Sequence, residues 1–298
     1  MPDHTVLISD GGLATELEAR GNDLSGVLWS ARLLTSAPHE IVAVHEAYFR
    51  AGAVIATTAS YQASFTGFAA QGIGQDEAVR LLRRSVQLAK AAREQVGVPG
   101  RWVAASVGPY GAVLADGSEY RGRYGLSVAA LMKWHRPRLE VLADAGADVL
   151  ALETLPDVDE AEALVELVRH VGVPAWLSYT ITGTRTRAGQ PLAEAFAVAA
   201  GVPEIVAVGV NCCAPEDVLP AIGVARDVSA KPVIVYPNSG EYWDARRRTW
   251  TGASRFSTQL ASRWVAAGAR IVGGCCRVGP ADIAAVAAAI RSAPSPAA

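Results

Sequence analysis

The chain has 298 residues, and its 27 basic and 29 acidic side chains give a formal net charge of −2 at neutral pH. This balance lacks the basic excess that nucleic acids and anionic membrane surfaces select, so we expect no nucleic-acid partner. Hydrophobic residues make up 51% of the chain and charged residues 19%, which is typical of a globular protein and excludes a disordered one.

The sequence predicts neither a secretion signal nor a membrane partner. Its first residues lack a basic segment followed by a long apolar run. No run of about 18 apolar residues is present that would span a bilayer. Four cysteines are too few for a disulfide-stabilised secreted scaffold. We therefore expect a cytoplasmic protein, with a loose tail over residues 292–298.

Eight short apolar runs, rich in β-branched residues, predict β-strands. In chain order they are Thr5–Ser9, Val54–Thr58, Trp102–Val107, Asp148–Leu152, Ala175–Tyr179, Ile205–Val210, Pro232–Tyr236 and Arg270–Gly273. Most of these runs are continuously apolar rather than alternating, as in strands that are buried on both faces.

A helical pattern follows each predicted strand. The clearest is Gln75–Val96, where apolar residues recur on one face and most basic residues lie off it. Other helices are expected to begin near Pro38, Ser127, Asp157, Leu192, Pro215, Ala253 and Pro280. Alternation of eight strands and helices predicts an α/β protein, a single (β/α)8 TIM barrel over residues 1–298.

An open doubly wound sheet is the second candidate fold. If it bound a dinucleotide, its first strand would be followed by a GxGxxG fingerprint, whereas DGGLATE follows here. In the favoured barrel, functional residues lie at the carboxyl ends of the strands. Asp10 and Gly11 follow the first predicted strand, Glu153 follows the fourth, and Asn211 follows the sixth.

All four cysteines occur in adjacent pairs, Cys212-Cys213 and Cys275-Cys276, after the sixth and eighth predicted strands. Free cysteines are often small buried hydrophobes, and a disulfide between neighbours would be strained. A cysteine nucleophile needs a histidine partner, but no histidine lies at a predicted strand end. A soft metal site, with Zn²⁺ as the ion, fits the two pairs best.

Consecutive residues of a strand point to opposite faces, so both members of a pair reach one ion only where the backbone is irregular. Gly273-Gly274 precede the second pair and allow this irregularity. The first pair has no preceding glycine, and we expect only Cys212 of that pair to bind metal. The predicted ligands are therefore Cys212, Cys275 and Cys276.

The motifs GVNC at 209–212 and GGCC at 273–276 resemble those of the homocysteine S-methyltransferase family of zinc-thiolate barrels. The resemblance extends over nearly the whole chain, including DGGLATELEARG at 10–21. The segments SVGPYGAVLADGSEYRGRY at 106–124 and YPNSGEYWD at 236–244 look most like the branch that uses S-methylmethionine or S-adenosylmethionine.

The resemblance implies roles for particular residues. Cys212, Cys275 and Cys276 match the family's zinc ligands. Glu153 matches the acidic residue that holds the amino group of homocysteine, and Asp10 and Gly11 match the homocysteine-contacting turn. The implied reaction is zinc-dependent transfer of a methyl group from a sulfonium donor to homocysteine, which gives methionine.

Several of these positions also have plain structural interpretations. Asp10 is equally suited to a tight turn, and Glu153 to the N-terminus of a helix. Asn211 either holds the substrate carboxylate or orients the neighbouring thiolate. The betaine-using enzymes have aromatic and threonine residues where Tyr61 and Gln62 stand here, which disfavours betaine. Tyr110 is our candidate for an aromatic contact with the sulfonium.

Other functions remain open from the sequence alone. Selenohomocysteine or selenocysteine would suit the same site as acceptors. A zinc-storing or zinc-sensing protein is a second class. A barrel lyase or hydrolase with a hard metal held by Asp10 and Glu153 is a third. We expect a monomer or a small homo-oligomer, because little chain follows Pro280 to form an assembly arm.

Overall fold

The computed structural model describes residues 6–26, 28–244 and 249–292. Eight of its strands form one parallel sheet. They are β1 (Leu7–Ile8), β2 (Ile55–Thr57), β3 (Trp102–Val107), β4 (Val149–Leu155), β5 (Ala175–Tyr179), β6 (Ile205–Asn211), β7 (Val233–Tyr236) and β8 (Ala269–Val272). All eight coincide with predicted runs, with boundaries that differ by at most three residues.

The sheet closes into a barrel. Its order runs from β1 through β8, β7, β6, β5, β4 and β3 to β2. A parallel bridge between Ser9 and Ile55 joins the two ends of this series. The amide of Val54 also donates to the carbonyl of Ile8 at 2.7 Å. The (β/α)8 barrel is confirmed, and the open doubly wound sheet is wrong.

Each barrel strand is buried on both faces, which explains the continuous apolar runs. The inner faces form one cluster around Trp176 and Ile234, and the outer faces join a larger cluster beneath the helices. Trp176 donates its indole N–H to the Tyr236 hydroxyl at 2.9 Å across the barrel interior. The strands therefore form a packed support for the loops at their carboxyl ends.

A principal helix follows each strand. These are α1 (Pro38–Arg50), α2 (Gln75–Val96), α3 (Val128–Asp144), α4 (Val158–Val168), α5 (Leu192–Ala197), α6 (Val218–Ser229), α7 (Thr258–Ala267) and α8 (Pro280–Ser292). Ser127 caps α3 and Asp157 caps α4, as the sequence predicts, because each side chain accepts an amide hydrogen of the first turn.

Helix α7 begins at Thr258, later than the predicted start near Ala253. The Ser257 hydroxyl caps α7 by accepting the amide of Leu260 at 3.3 Å. The amides of Arg255 and Phe256 donate instead to the carbonyl of Ser239. This long-range contact holds the preceding segment outside the helix.

Shorter elements complete the described part of the chain. Four short α-helices are Leu13–Ala19, Leu33–Ser36, Phe65–Ala69 and Tyr110–Leu114, and three 3-10 turns are Trp29–Arg32, Ser118–Tyr120 and Pro215–Asp217. Two small hairpins pair Ile181–Thr182 with Arg185–Thr186 and Tyr242–Asp244 with Thr249–Thr251. No helix within the described ranges is long and apolar enough to cross a membrane. Of the predicted tail 292–298, residues 293–298 lie outside those ranges.

Candidate metal centre and active site

Three thiol groups meet at the carboxyl end of the barrel. The Sγ atoms of Cys212, Cys275 and Cys276 all lie within 4.8 Å of one another. Cys212 follows β6, and the other two follow β8. The fourth cysteine, Cys213, is 1% exposed and packs in the core beneath the helices. The structure thus brings together the three predicted ligands and separates Cys213 from them.

The backbone at Cys212 explains why its side chain turns away from that of Cys213. Cys212 has a φ of +50°, in the left-handed region, so the strand geometry ends at this residue. Its amide still donates to the carbonyl of Tyr236 at 3.2 Å. The Thr180 hydroxyl holds its carbonyl at 3.1 Å. The left-handed conformation therefore aims one thiol of this pair into the site.

Glycine has a different role before the second pair than the sequence suggested. Neither Gly273 nor Gly274 has a positive φ, whereas Arg277 does, at +67°. A Cβ at Gly273 would lie 2.7 Å from the Asp10 carbonyl, and one at Gly274 would lie 2.2 Å from the Val278 side chain. These glycines supply space for close packing rather than an unusual backbone conformation.

The pKa values of the three thiols indicate how much negative charge the cluster holds without a metal. Hydrogen bonds from the thiols of Cys275 and Cys276 hold the pKa of Cys212 well below its usual range. The same interactions with Cys212, together with burial, raise the pKa of the Cys275 thiol. Without a cation the cluster thus favours one thiolate rather than three. A soft divalent metal would compensate the charge of all three, and this donor set therefore fits such an ion.

Two buried carboxyl groups lie inside the rim of the barrel. Glu153, at the end of β4, accepts a hydrogen bond from the Ser106 hydroxyl. Asp10, after β1, accepts the amide of Thr57 at 2.6 Å and its hydroxyl at 3.0 Å. Burial raises the pKa of each carboxyl to about 7, and the Asp10 charge further raises that of Glu153. Because burial disfavours the ionised form of these two carboxyl groups, a cationic ligand that stabilises that form would fit beside them.

The Asp-Gly-Gly turn packs directly against the cysteine loop. A Cβ at Gly11 would lie 2.3 Å from the carbonyl of Val278, and one at Gly12 would lie 2.5 Å from that of Cys275. The amide of Gly12 donates to the Val278 carbonyl at 2.9 Å. The turn therefore requires glycine at both positions, and it holds the backbone of Asp10 against the loop that carries Cys275.

Asn211 connects the cysteine cluster to the carboxyl groups. It is fully buried, and its Oδ1 accepts the amide of Thr154 at 2.7 Å and the hydroxyl of Ser178. Its Nδ2 donates to the Thr154 hydroxyl at 2.7 Å. Thr154 has a φ of +59°, and these bonds hold it there. Asn211 thereby fixes the segment that carries Glu153 beside Cys212.

Tyr120 is a site residue that the sequence did not single out. It lies in the turn Ser118–Tyr120 after β3, and its hydroxyl is 3.1 Å from the Sγ of Cys212. The residue is 39% exposed, and the Arg187 guanidinium lies 5.6 Å from the centroid of its ring. The available signal was its place in a loop at the carboxyl end of a barrel strand.

Tyr110, the predicted aromatic contact, packs elsewhere. Its ring lies 5.3 Å from that of Tyr124 and 5.0 Å from that of Trp134, measured between centroids. Trp134 belongs to α3 in the outer layer of the barrel. The described contacts therefore place Tyr120, rather than Tyr110, against the thiol cluster.

Comparison with known proteins agrees with this architecture. A family model described as homocysteine S-methyltransferase matches residues 7–290. The chain is 49% identical to the homocysteine S-methyltransferase of Escherichia coli K12, over 94% of each chain. It is 43% identical to homocysteine S-methyltransferase YbgG of Bacillus subtilis, over 97% of this chain and 96% of that one. The chain belongs to the homocysteine S-methyltransferase family.

The solved structures extend this family likeness to the fold. The metallated form of the homocysteine methyltransferase MmuM from Escherichia coli superposes with a TM-score of 0.86 at 46% identity, and the match covers 96% of both chains. The family's members are methyl-transferring enzymes that act on small molecules. Membership therefore argues against the lyase, hydrolase and zinc-storage alternatives.

Proposed function

We propose that this enzyme transfers a methyl group from a sulfonium donor to the sulfur of homocysteine, forming methionine, with Zn²⁺ held by Cys212, Cys275 and Cys276. The observation that carries the proposal is the convergence of these three Sγ atoms within 4.8 Å of one another. It is supported by the chain's relatives, which are homocysteine methyltransferases. Three thiolates are a donor set that selects zinc and leaves a fourth position open.

The protein's own groups bind and orient the acceptor. We assign the carboxylates of Glu153 and Asp10 to the ammonium group of homocysteine, because both are buried and lack a basic partner among the described residues. Ser106 and Thr57 hold the two carboxylates in place. Gly11 allows the turn to approach the cysteine loop. Asn211 acts by positioning Thr154 and Glu153.

The reaction needs an electron-rich sulfur and a cationic donor. Zinc bound at the cluster would lower the pKa of the homocysteine thiol, so that no general base is required. The acceptor sulfur forms a bond to the methyl carbon while the bond from that carbon to the donor sulfur breaks. The electron pair of the broken bond stays with the donor sulfur, which becomes a neutral thioether. Since opposite charges cancel in this step, the buried site favours it.

The identity of the donor is the part most open to experiment. We favour S-methylmethionine or S-adenosylmethionine over betaine, because Tyr61 and Gln62 replace the residues of the betaine-using enzymes. Methionine formation from homocysteine should be measured with each of the three donors in turn. We expect turnover with a sulfonium donor and little with betaine. The proposal would be contradicted if betaine were the only donor that supports turnover, or if methionine formed without any donor.

We also place the enzyme in a reducing compartment, the cytoplasm. All four cysteines are free, and a thiolate centre requires that state. A monomer or small homo-oligomer remains our expectation for its assembly. Size-exclusion chromatography with light scattering measures that property directly.

A further inference from the structure

Glu119 is an acidic residue at the rim of the site with no assigned role. It lies between Ser118 and Tyr120 in the turn after β3. Its Oε2 atom is buried and has no hydrogen-bond partner among the described residues. Among the residues that the structure describes, no basic side chain forms an ion pair with Glu119. A carboxylate oxygen that is buried without such partners is unfavourable unless a ligand supplies the missing cation.

The turn that carries Glu119 lies over the thiol cluster. The next residue, Tyr120, brings its hydroxyl to 3.1 Å from the Sγ of Cys212. Burial, and then the negative charge of Cys212, raise the pKa of Glu119 above its usual range. Glu119 is therefore within electrostatic reach of the cluster where methyl transfer is proposed.

The position of Glu119 is fixed by its surroundings. The amide of Ser118 donates to Asp116 at 2.9 Å, and Arg121 donates to the Ser118 hydroxyl at 2.7 Å. A Cβ at Gly111 would lie 2.6 Å from the amide nitrogen of Glu119, so this turn packs closely on the preceding short helix. The carboxylate is thus held on an ordered turn.

We propose that Glu119 binds the α-ammonium group of an amino-acid methyl donor, of the chemical class of S-methylmethionine. This inference rests on the proposed function and adds a specificity-determining residue to it. Homocysteine and such a donor each carry an ammonium group, and each needs a carboxylate. Asp10 and Glu153 lie inside the barrel and serve the acceptor, whereas Glu119 lies on the loop and serves the donor.

The ammonium is a better target for Glu119 than the sulfonium. The positive charge of the sulfonium disappears during methyl transfer, so a carboxylate against it would stabilise the substrate more than the transition state. The ammonium keeps its charge throughout the reaction. A contact with it strengthens binding equally in both states and lowers KM without changing kcat.

The test compares two donors in two proteins. S-Methylmethionine and its des-amino analogue, dimethylsulfoniobutyrate, differ only in the ammonium group. Their binding to wild type and to Glu119→Gln is measured by isothermal titration calorimetry without homocysteine, and steady-state kinetics follow with homocysteine. Asp116→Asn is the control, since it removes a charge from the same loop but keeps an oxygen acceptor for the Ser118 amide.

Glu119→Gln is expected to weaken S-methylmethionine binding, and to raise its KM, by about 10- to 100-fold, with kcat and the KM for homocysteine unchanged. The des-amino analogue should bind both proteins equally weakly, so that the two losses are not additive. Asp116→Asn should bind S-methylmethionine as wild type does.

Three outcomes would overturn the inference in an active enzyme. They are an unchanged donor affinity in Glu119→Gln, an equal loss for both donors, and a parallel rise in the KM for homocysteine. The last two would assign Glu119 to the sulfonium or to general structure. If wild type transfers no methyl group from any sulfonium, the proposed function itself fails, and calorimetry still reports on the ammonium contact.

Discussion

The carboxyl groups of Asp10 and Glu153 are the acidic pair to which we assign the ammonium of homocysteine. Burial raises both pKa values to about 7, and only the ionised form pairs with an ammonium group. As the pH falls below about 7, the ionised fraction decreases, and the KM for homocysteine should rise. Steady-state kinetics over a pH series, with donor saturating, measures this rise.

The Glu153→Gln variant is the control for this titration. It should have a higher KM at neutral pH and a shallower rise on acidification, because only Asp10 still titrates. Effects of pH on the homocysteine thiol act equally on both proteins and do not change the comparison. The same steepness in variant and wild type would remove Glu153 from the ammonium site.

Among the site residues, the sequence predicted those that directly follow a strand. Cys212, Cys275 and Cys276 came together because they follow neighbouring regions of the barrel rim, and their adjacency in pairs drew attention to them. Tyr120 and Glu119 could not be predicted, since their place depends on how a turn folds back over β6. Residue spacing within the loop after β3 does not encode that contact.

Among the elements, β6 and β7 approach unusually closely at Gly209. A Cβ there would lie 1.7 Å from the carbonyl oxygen of Ile234, so Gly209→Ala should destabilise the fold by about 3 kcal/mol. Gly223, inside α6, has no described atom within 4 Å of a Cβ, and Gly223→Ala should stabilise the fold by about 1 kcal/mol. Urea unfolding measures both, and shifts of the same sign would contradict this account.

Helix α3 contributes a fully buried charge. The Arg138 guanidinium donates to the carbonyls of Ala63, in the loop after β2, and Gly108, directly after β3, and lies near the buried Glu160 of α4. Arg138→Leu removes this buried donor from both carbonyls and takes the cation away from Glu160, which keeps the His135 ring and the Tyr110 amide as partners, so it should destabilise the fold by about 3 kcal/mol. Thermal and urea unfolding measure the loss.

Arg136→Leu is the matched control in the same helix. Arg136 is exposed, and its guanidinium lies 3.7 Å from the Glu140 carboxylate, so its loss should change stability by about 0–1 kcal/mol. If both variants lost the same stability, the burial of Arg138 would not be the cause.

The start of α7 was predicted less accurately than the strands, for a physical reason. A strand buried on both faces is a continuous apolar run whose ends are visible in the sequence, as at Trp102–Val107 and Ala175–Tyr179. The start of α7 depends on the Ser239 carbonyl, which accepts two amides from the segment before Ser257. A contact made across the fold has no local signal.

For the molecule as a whole, a metal at the cluster would join two distant parts of the barrel. Cys212 and Cys276 are 64 residues apart in the chain, and their Sγ atoms lie 3.9 Å apart. An ion that binds only the folded state stabilises it, by about 4 kcal/mol when its concentration is 1,000 times Kd. A chelator should therefore lower Tm, as scanning fluorimetry measures. An unchanged Tm would mean that the folded state binds no metal.

The number of barrel units was predictable because each repeats the same strand and helix pattern. Closure of the barrel followed from this number of units, but the contacts that close it between β1 and β2, such as the Ser9–Ile55 bridge, were not visible in the sequence. Asp10 and Glu153 were predicted as site residues, but their burial and the side chains that cover the site become apparent only in the folded barrel. The fold class can thus be predicted from the repeated strand and helix pattern, whereas the geometry of the site depends on contacts between residues that are distant in the sequence.

The central claim is that Cys212, Cys275 and Cys276 hold a zinc ion required for methyl transfer and that Cys213 does not. The most direct measurement is zinc content by mass spectrometry, together with methionine formation, in wild type, Cys276→Ala and Cys213→Ala. We predict about one zinc per chain and full turnover in wild type and Cys213→Ala. Cys276→Ala should lose both zinc and activity. A Cys276→Ala protein that keeps its metal and its turnover would contradict the account.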